Sequence, residues 1–229
     1  GGAIGGGLWG AIAGFLRARF GANEVIATLM LNILAVLLTT YLISGPLAAP
    51  GEASAQTATI ARSAWLPILL PESRLTIALL IALALAVGLR YFFAQTVFGY
   101  ELRAAGEAPE AARRAGIDLK KTALLAMTIS GAIAGLGGAT IVDGVLHRFN
   151  AQLSPGYGFI AIAVALVGNL DPLWIVVASF VFGILQSGAL TMQALAHVPK
   201  DVVTFIEGLA IVALAARRYL AGRASAIRT

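Results

Sequence analysis

The sequence predicts an all-α fold, a polytopic transmembrane helix bundle, on three observations. The 229-residue chain is 59% hydrophobic and only 12% charged, too little polar surface to coat a globule in water. Five runs carry no charge: Val25 to Gly51, Leu75 to Leu89, Thr122 to Val142, Phe149 to Leu170 and Pro172 to Pro199. Most match the roughly 20 apolar residues that cross hydrocarbon, and the second does so with its flank through Thr96. The charge that exists is gathered: of sixteen basic and eleven acidic residues, nine lie between Tyr100 and Lys121.

Taken in order, the chain opens with "GGAIGGGLWGAIAGFL", without an initiator Met or the basic region of a signal peptide. That reads as a start inside an earlier membrane segment, hence an N-terminally truncated bundle. A helix before Phe20 is expected to lie at the interface rather than to cross. Spans are placed at Glu24 to Ser44, Leu75 to Ala94, Thr122 to Val142, Pro172 to Leu190 and Val202 to Ala216. A shorter apolar helix near Phe159 to Gly168 rises only about 15 Å, half a bilayer. "ISGPLAAPGEASAQ" ends the first span with Gly, Pro and Ser, and the stretch to Arg74 reads as a loop of about thirty residues.

Lys and Arg set the orientation. With residues 98–121 inside, alternating spans put Arg17, Arg19, Arg90, Arg103, Arg113, Arg114, Lys120, Lys121, Arg217, Arg218, Arg223 and Arg228 inside as well. Arg62, Arg74, Arg148 and Lys200 stay outside. This is the positive-inside bias, and it requires the short Phe159 segment to count as crossing. The net charge of +5 is therefore a topology signal and not a nucleic-acid footprint.

The charged loop has helix grammar of its own. Pro109 suits a first helical position, Glu110 favours the N-terminal end, Arg113 and Arg114 the C-terminal end, and Gly116 a left-handed stop. A helix of two turns is marginal alone. Its alanine face (Ala108, Ala111, Ala112, Ala115) would let a partner come close, although a solvated positive-inside loop accounts for the same composition.

"GYELRAAGEAPEAARRAGI" (Gly99 to Ile117) resembles the coupling loop of permease subunits of bacterial ABC importers, in the family that handles branched-chain amino acids, ribose-type sugars and nucleosides. "FGANEVIATLMLN" (Phe20 to Asn32) and "GYGFIAIAVALVGNLDPLWIVVASFVFGILQSG" (Gly156 to Gly188) look like its nucleoside or simple-sugar branch. Ala108 and Arg114 depart from the Asn and the aromatic residue expected there. The resemblance implies a single permease domain over residues 1–229 in the bacterial inner membrane, with a coupling loop at 98–121 that includes Glu101, Arg103, Gly106, Glu107, Pro109, Ala111, Ala112, Arg113 and Gly116. It also implies a separate ATPase subunit that binds ATP and Mg, a second permease, a paralogue, and an extracytoplasmic solute-binding protein. The bilayer is its solvent and no nucleic acid is involved.

Polar residues inside the spans are the remaining candidates. Thr28, Asn32 and Thr39 follow Glu24 at helical spacing and put a polar stripe on the first span, either interhelical hydrogen-bond glue or the lining of a translocation path. Glu24, at the edge, suits capping or snorkelling. In "GNLDP", Asp171 sits at an N-cap before Pro172; the bland role is a turn, and the resemblance adds a lower gate or ATPase contact for Asn169 and Asp171. Gly131, Gly135 and Ala139 make a close-approach row. Glu207 is costly if deep; pairing near Lys200 is favoured over an ion-coupling site, which would instead make the chain a secondary transporter.

Catalysis finds no support. There is no G-x-x-x-x-G-K-[ST] phosphate loop, so ATP hydrolysis belongs to another chain. The absence of cysteine removes disulfides and thiolate metal sites. His147 and His197 lack metal-ligand spacing, while Asp143 and His147 at i,i+4 are placed for a local bond. A membrane-embedded enzyme is disfavoured for want of convergent His, Asp or Glu.

Overall fold

The computed structural model describes residues 1–51, 55–69, 75–151, 153–154 and 156–196, with positions 202, 205 and 208. The helices are α1 (Gly2–Phe20), α2 (Glu24–Ser44), α3 (Ala78–Gln95), α4 (Val97–Glu107), α5 (Pro109–Arg114), α6 (Leu119–Ile141), α7 (Tyr157–Val167) and α8 (Pro172–Ala196). A 3-10 turn covers Arg62–Ala64 and a π-turn, Val142–Leu146, prolongs α6. Among the described residues, Glu24–Ser44, Ala78–Gln95, Leu119–Leu146 and Pro172–Gln193 are long and apolar enough to cross a membrane. The fold is the expected all-α bundle. The chain divides into two compact units, Gly1–Ala84 with Tyr91–Pro155, and Leu85–Arg90 with Gly156–Thr229.

In the first unit α1 lies antiparallel along α6, backbone against backbone. A Cβ on Gly2 would sit 2.6 Å from the Gly135 carbonyl oxygen and 2.7 Å from the Ala139 Cβ, and one on Gly14 would sit 2.9 Å from the Leu124 Cα. The close-approach row on α6 thus meets a matching row, Gly2, Gly6, Gly10 and Gly14, on α1. This corrects the interfacial placement of the first helix: α1 follows α6 from Leu124 to Ala139. Glycine adds little hydropathy, so the segment reads as weakly apolar although what holds it is backbone packing.

Helix ends follow local chemistry. Asn23 caps α2, its Oδ1 accepting from the N–H of Val25 at 3.0 Å and of Ile26 at 3.4 Å. Asp118 caps α6 through the N–H of Lys120 and Lys121 at 3.0 and 3.2 Å. The span expected from Leu75 begins at Ala78, because Thr76 is drawn into an antiparallel bridge with Ile68 and the Leu69 N–H donates to the Leu75 carbonyl at 2.8 Å.

The stretch 55–69, expected as plain loop, is fastened to the far end of α6. Leu66 N–H donates to the Asp143 carbonyl at 3.0 Å, Ile60 N–H to that of His147 at 2.9 Å, and Thr57 N–H to that of Phe149 at 2.9 Å. His147 turns the chain with φ 55° and stacks on Trp65, ring centroids 3.8 Å apart and 13° from parallel. The local Asp143–His147 bond is therefore replaced by stacking: the buried His147 Nδ1 has no hydrogen-bond partner among the described residues, and Asp143 serves through its backbone carbonyl.

The second unit is built on a helical hairpin. Ala163 and Val164 of α7 pack against Ala178 and Phe182 of α8, with Ile160 and Ile175 at the margin. A Cβ on Gly168 would lie 2.7 Å from the Ile175 backbone nitrogen, so at the turn the chain approaches α8 more closely than any residue with a side chain would allow.

Outside these contacts the apolar surface is bare. Val25, Ile26, Met30, Leu34 and Leu37 of α2 are all more than half exposed, which in water would be an aggregating face and in a bilayer is a solvated one.

Candidate functional site

The 98–121 connection is more structured than its sequence suggested. α4 begins directly after α3: the Thr96 hydroxyl accepts from the Gly99 N–H at 3.0 Å, and a Cβ on Gly99 would lie 2.8 Å from the Phe93 Cα. The corner is tight because Gly99 has no side chain to obstruct it. Sequence reasoning missed α4; the signal was there in Thr96 as an N-cap ahead of a stretch with alternating apolar and charged faces.

α5 follows with Pro109 at its first turn and Glu110 in its acidic end. It stops at Gly116, φ 87°, where Ile117 N–H reaches the Ala112 carbonyl at 3.0 Å and Gly116 N–H that of Arg113 at 3.1 Å. Ala112 is 4% exposed and faces inward, whereas Ala108, Ala111 and Ala115 are exposed. All four alanines, with Tyr100, Arg103 and Glu107 of α4, line a groove of about 430 Å³, Ala112 at its floor. Arg103, Gly106, Glu107, Pro109 and Arg113 are exposed, and Glu101 is half-buried. The Arg113–Glu110 pair is 3.8 Å long with both side chains more than two thirds exposed, so it adds little to stability.

A second cavity, about 620 Å³, opens where α1, α4 and α6 meet, with Arg17, Glu24, Gly106, Lys120 and Ser130 on its wall. Glu24 is paired there with Arg17 at 2.7 Å, both side chains nearly half exposed.

The polar stripe on α2 is uneven. The Thr28 hydroxyl donates to the Glu24 carbonyl at 2.8 Å and the Thr39 hydroxyl to that of Ala35 at 2.8 Å, so both threonines are satisfied by their own helix. Asn32 is exposed and its side chain makes no hydrogen bond among the described residues.

At the α7–α8 turn, Asp171 divides its carboxylate. Oδ1 accepts from the N–H of Leu173 at 2.9 Å and of Trp174 at 3.4 Å, and Oδ2 pairs with Arg90 of α3 at 2.5 Å. Desolvation pushes the Asp171 carboxyl up, but the two backbone N–H groups and the Arg90 guanidinium outweigh it and hold the group below the usual carboxylate range. Asn169 and Leu170, just before it, both have positive φ, 54° and 59°. Sequence reasoning found the cap and missed Arg90, which is 81 residues away along the chain; its signal was that it is the single charge between Leu75 and Tyr100.

Glu207, the span Val202 to Ala216, His197 and Lys200 lie outside the described residues, apart from the isolated helical positions 202, 205 and 208. Among the described residues no three His, Asp or Glu stand together as a metal site would require.

Comparison with known proteins adds the lineage. The chain is 36% identical over 227 residues to the guanosine ABC transporter permease protein NupP of Bacillus subtilis, covering 96% of this chain and 65% of that protein. It is 34% identical to the nucleoside ABC transporter permease protein NupB of Lactococcus lactis over 94% of this chain and 62% of NupB. To the glucose ABC transporter permease protein TsgB13 of Haloferax volcanii it is 32% identical, over 92% of this chain and 58% of the other. The chain thus spans about three fifths to two thirds of these relatives' lengths. No solved structure matches it. The family model described as branched-chain amino acid transport system / permease component matches residues 1–215, and the chain belongs to this family of membrane permeases.

Proposed function

We propose that the chain is the membrane subunit of an ATP-driven importer, a single permease domain that forms part of the path of a small polar solute. A nucleoside comes first, on the names of two relatives, and a simple sugar second, on that of the third. The observation that carries the reading is the α4–α5 element: a short helix held at the basic end of α1 and α6, with its small-residue face open.

In this reading the loop of Glu101, Arg103, Gly106, Glu107, Pro109, Ala111, Ala112, Arg113 and Gly116 is the handle of a separate ATPase, which binds ATP and Mg. Ala111 offers close approach, while the buried Ala112 ties α5 to its own scaffold. The handle is coupled to the membrane by short steps: Ala108 N–H, at the start of α5, donates to the Ala104 carbonyl of α4 at 3.0 Å, and Tyr100 N–H of α4 to that of Thr96, at the end of α3, at 3.0 Å, so a push on α5 reaches the end of α3 through α4. Thr28, Asn32 and Thr39 face the path, Asn169 and Asp171 form a lower gate, and the bare face of α2 meets lipid or a second permease subunit. An extracytoplasmic binding protein delivers the solute.

The test is reconstitution. The full-length protein, purified with the ATPase that accompanies it and placed in vesicles with a binding protein, should take up labelled guanosine only with ATP inside the complex's hydrolytic reach. Competition by nucleosides but not pentoses supports the first solute class. Competition by pentoses alone moves the assignment to sugars, and uptake that needs no ATPase defeats the importer reading.

A further inference from the structure

We propose that Arg90 is a positioning residue of the transport cycle: its ion pair with Asp171 is a releasable latch that holds the α7–α8 turn against α3 in one state and lets go in the other. The inference rests on the importer reading and extends it to a residue outside the expected gate.

Four features carry it. Capping of α8 is complete without Arg90, because Oδ1 alone receives the N–H of Leu173 and Trp174; Oδ2 is left for the guanidinium. Arg90 lies five residues before the end of α3, about 7.5 Å along the helix, on a segment with no other charge from Leu75 to Tyr100. A lone cation in so apolar a helix is costly unless it has a task and a partner. The pair also lies at the margin of its helices, the side chains 54% and 30% exposed. Breaking a buried pair strands a charge, but Arg90 is within two turns of the end of α3 and its head can reach the interface when released, so the contact can open and close at small cost.

The fourth feature is what the latch holds. Gly168 packs on the first turn of α8, and Ala163, Val164, Ala178 and Phe182 lock the two helices together, so the hairpin moves as one piece. Its turn is strained, with Asn169 and Leu170 both at positive φ, a conformation that persists only where surrounding contacts impose it. A rigid hairpin, a strained turn and a reversible charge contact at that turn are the parts of a two-position element.

The experiment uses the absence of cysteine from the chain. Leu170→Cys, at a side chain 66% exposed, is introduced into the full-length protein assembled with its ATPase, and its labelling rate by N-ethylmaleimide is measured with and without vanadate-trapped nucleotide. With Arg90 present the rate should change at least threefold between the two states. Arg90→Gln should remove that response and lower guanosine uptake about fivefold, Arg90→Lys should restore most of both, and Asp171→Asn, which keeps the cap, should behave as Arg90→Gln. Should Arg90→Gln label with the same nucleotide response and transport normally, the latch is overturned and the importer reading stands. Should the Arg90 protein show no ATP-dependent uptake at all, that reading fails and the latch goes with it.

Discussion

The indole of Trp65 lies flat on the imidazole of His147, 3.8 Å between centroids, and joins the 55–69 stretch to the end of α6. The Arg62 guanidinium sits 5.9 Å from the same indole centroid. This clasp fastens to the bundle a segment whose own regular structure is a single 3-10 turn. Trp65→Ala should lose about 2 kcal/mol of stability from the stack and the packing together, and Trp65→Phe less than half of that, read as the thermal midpoint of the detergent-solubilised protein. Equal midpoints for Trp65→Ala and the parent would show that the backbone bonds of Ile60 and Leu66 suffice.

Two adjacent glycines of α1 should behave oppositely. A Cβ on Gly5 meets nothing within 4 Å, whereas one on Gly6 would collide with the backbone of Gly131 and lie 2.8 Å from the Gly135 Cα. Gly6→Val should cost about 3 kcal/mol or more by prising α1 from α6. Gly5→Ala should be neutral or stabilise by up to about 1 kcal/mol through helix propensity. Thermal or denaturant unfolding of the two variants decides.

At the loop, Ala111→Trp should reduce ATPase co-purification and transport-stimulated ATP hydrolysis about tenfold while leaving membrane insertion intact. Arg113→Glu should reduce both by about two- to threefold, because it loses only an exposed pair with Glu110 and puts the wrong sign at a helix C-terminus. If Ala111→Trp leaves both measurements unchanged, the loop is a topological anchor alone.

On α2, Asn32→Leu should depress uptake several-fold, since its amide is free for a solute, and Thr28→Leu should do less, since that hydroxyl is spent on the Glu24 carbonyl. Normal uptake by Asn32→Leu, with normal assembly, would assign the stripe to packing.

The α7–α8 turn should also be acid-sensitive in a defined sense. Asp171 has its pKa lowered in the folded protein, so its contribution is fully present above the ordinary Asp value near 4 and is lost as pH falls through the lower folded value. The ratio of Leu170→Cys labelling rates with and without trapped nucleotide should be flat from pH 7 to 5, while both rates fall with the thiolate fraction, and should decline only below about 4. The same loss appearing near pH 6 would implicate a different group.

Apolar runs made the spans legible because hydrocarbon demands them: α2 occupies Glu24–Ser44 as expected, α8 runs on from Leu190 to Ala196 where no charge or proline stops it, and α6 starts three residues early because Asp118 caps it ahead of Lys120 and Lys121. Gly116 as the stop of α5 was legible too, since few residues other than glycine turn a chain at φ 87°. What stayed hidden depends on partners. α1 looked weakly apolar because its fit is to the backbone of α6. Ala112 looked like part of an open face and turned out to be buried. Arg90 read as one more inside charge until the fold set it beside Asp171. The left-handed Leu170 carried no signal at all, because nothing in a leucine announces positive φ.

The glycine seam between α1 and α6 also has a clock in it. Gly10 packs against the Met127 carbonyl and the Gly131 Cα, residues synthesised well over a hundred positions later. At about 5–20 residues per second the ribosome needs about 6–25 s to supply them. During that interval the glycine face of α1 lacks the helix it is shaped to fit. The step of biogenesis most sensitive to a slowed ribosome or a crowded insertion site is therefore the wait of α1 for α6.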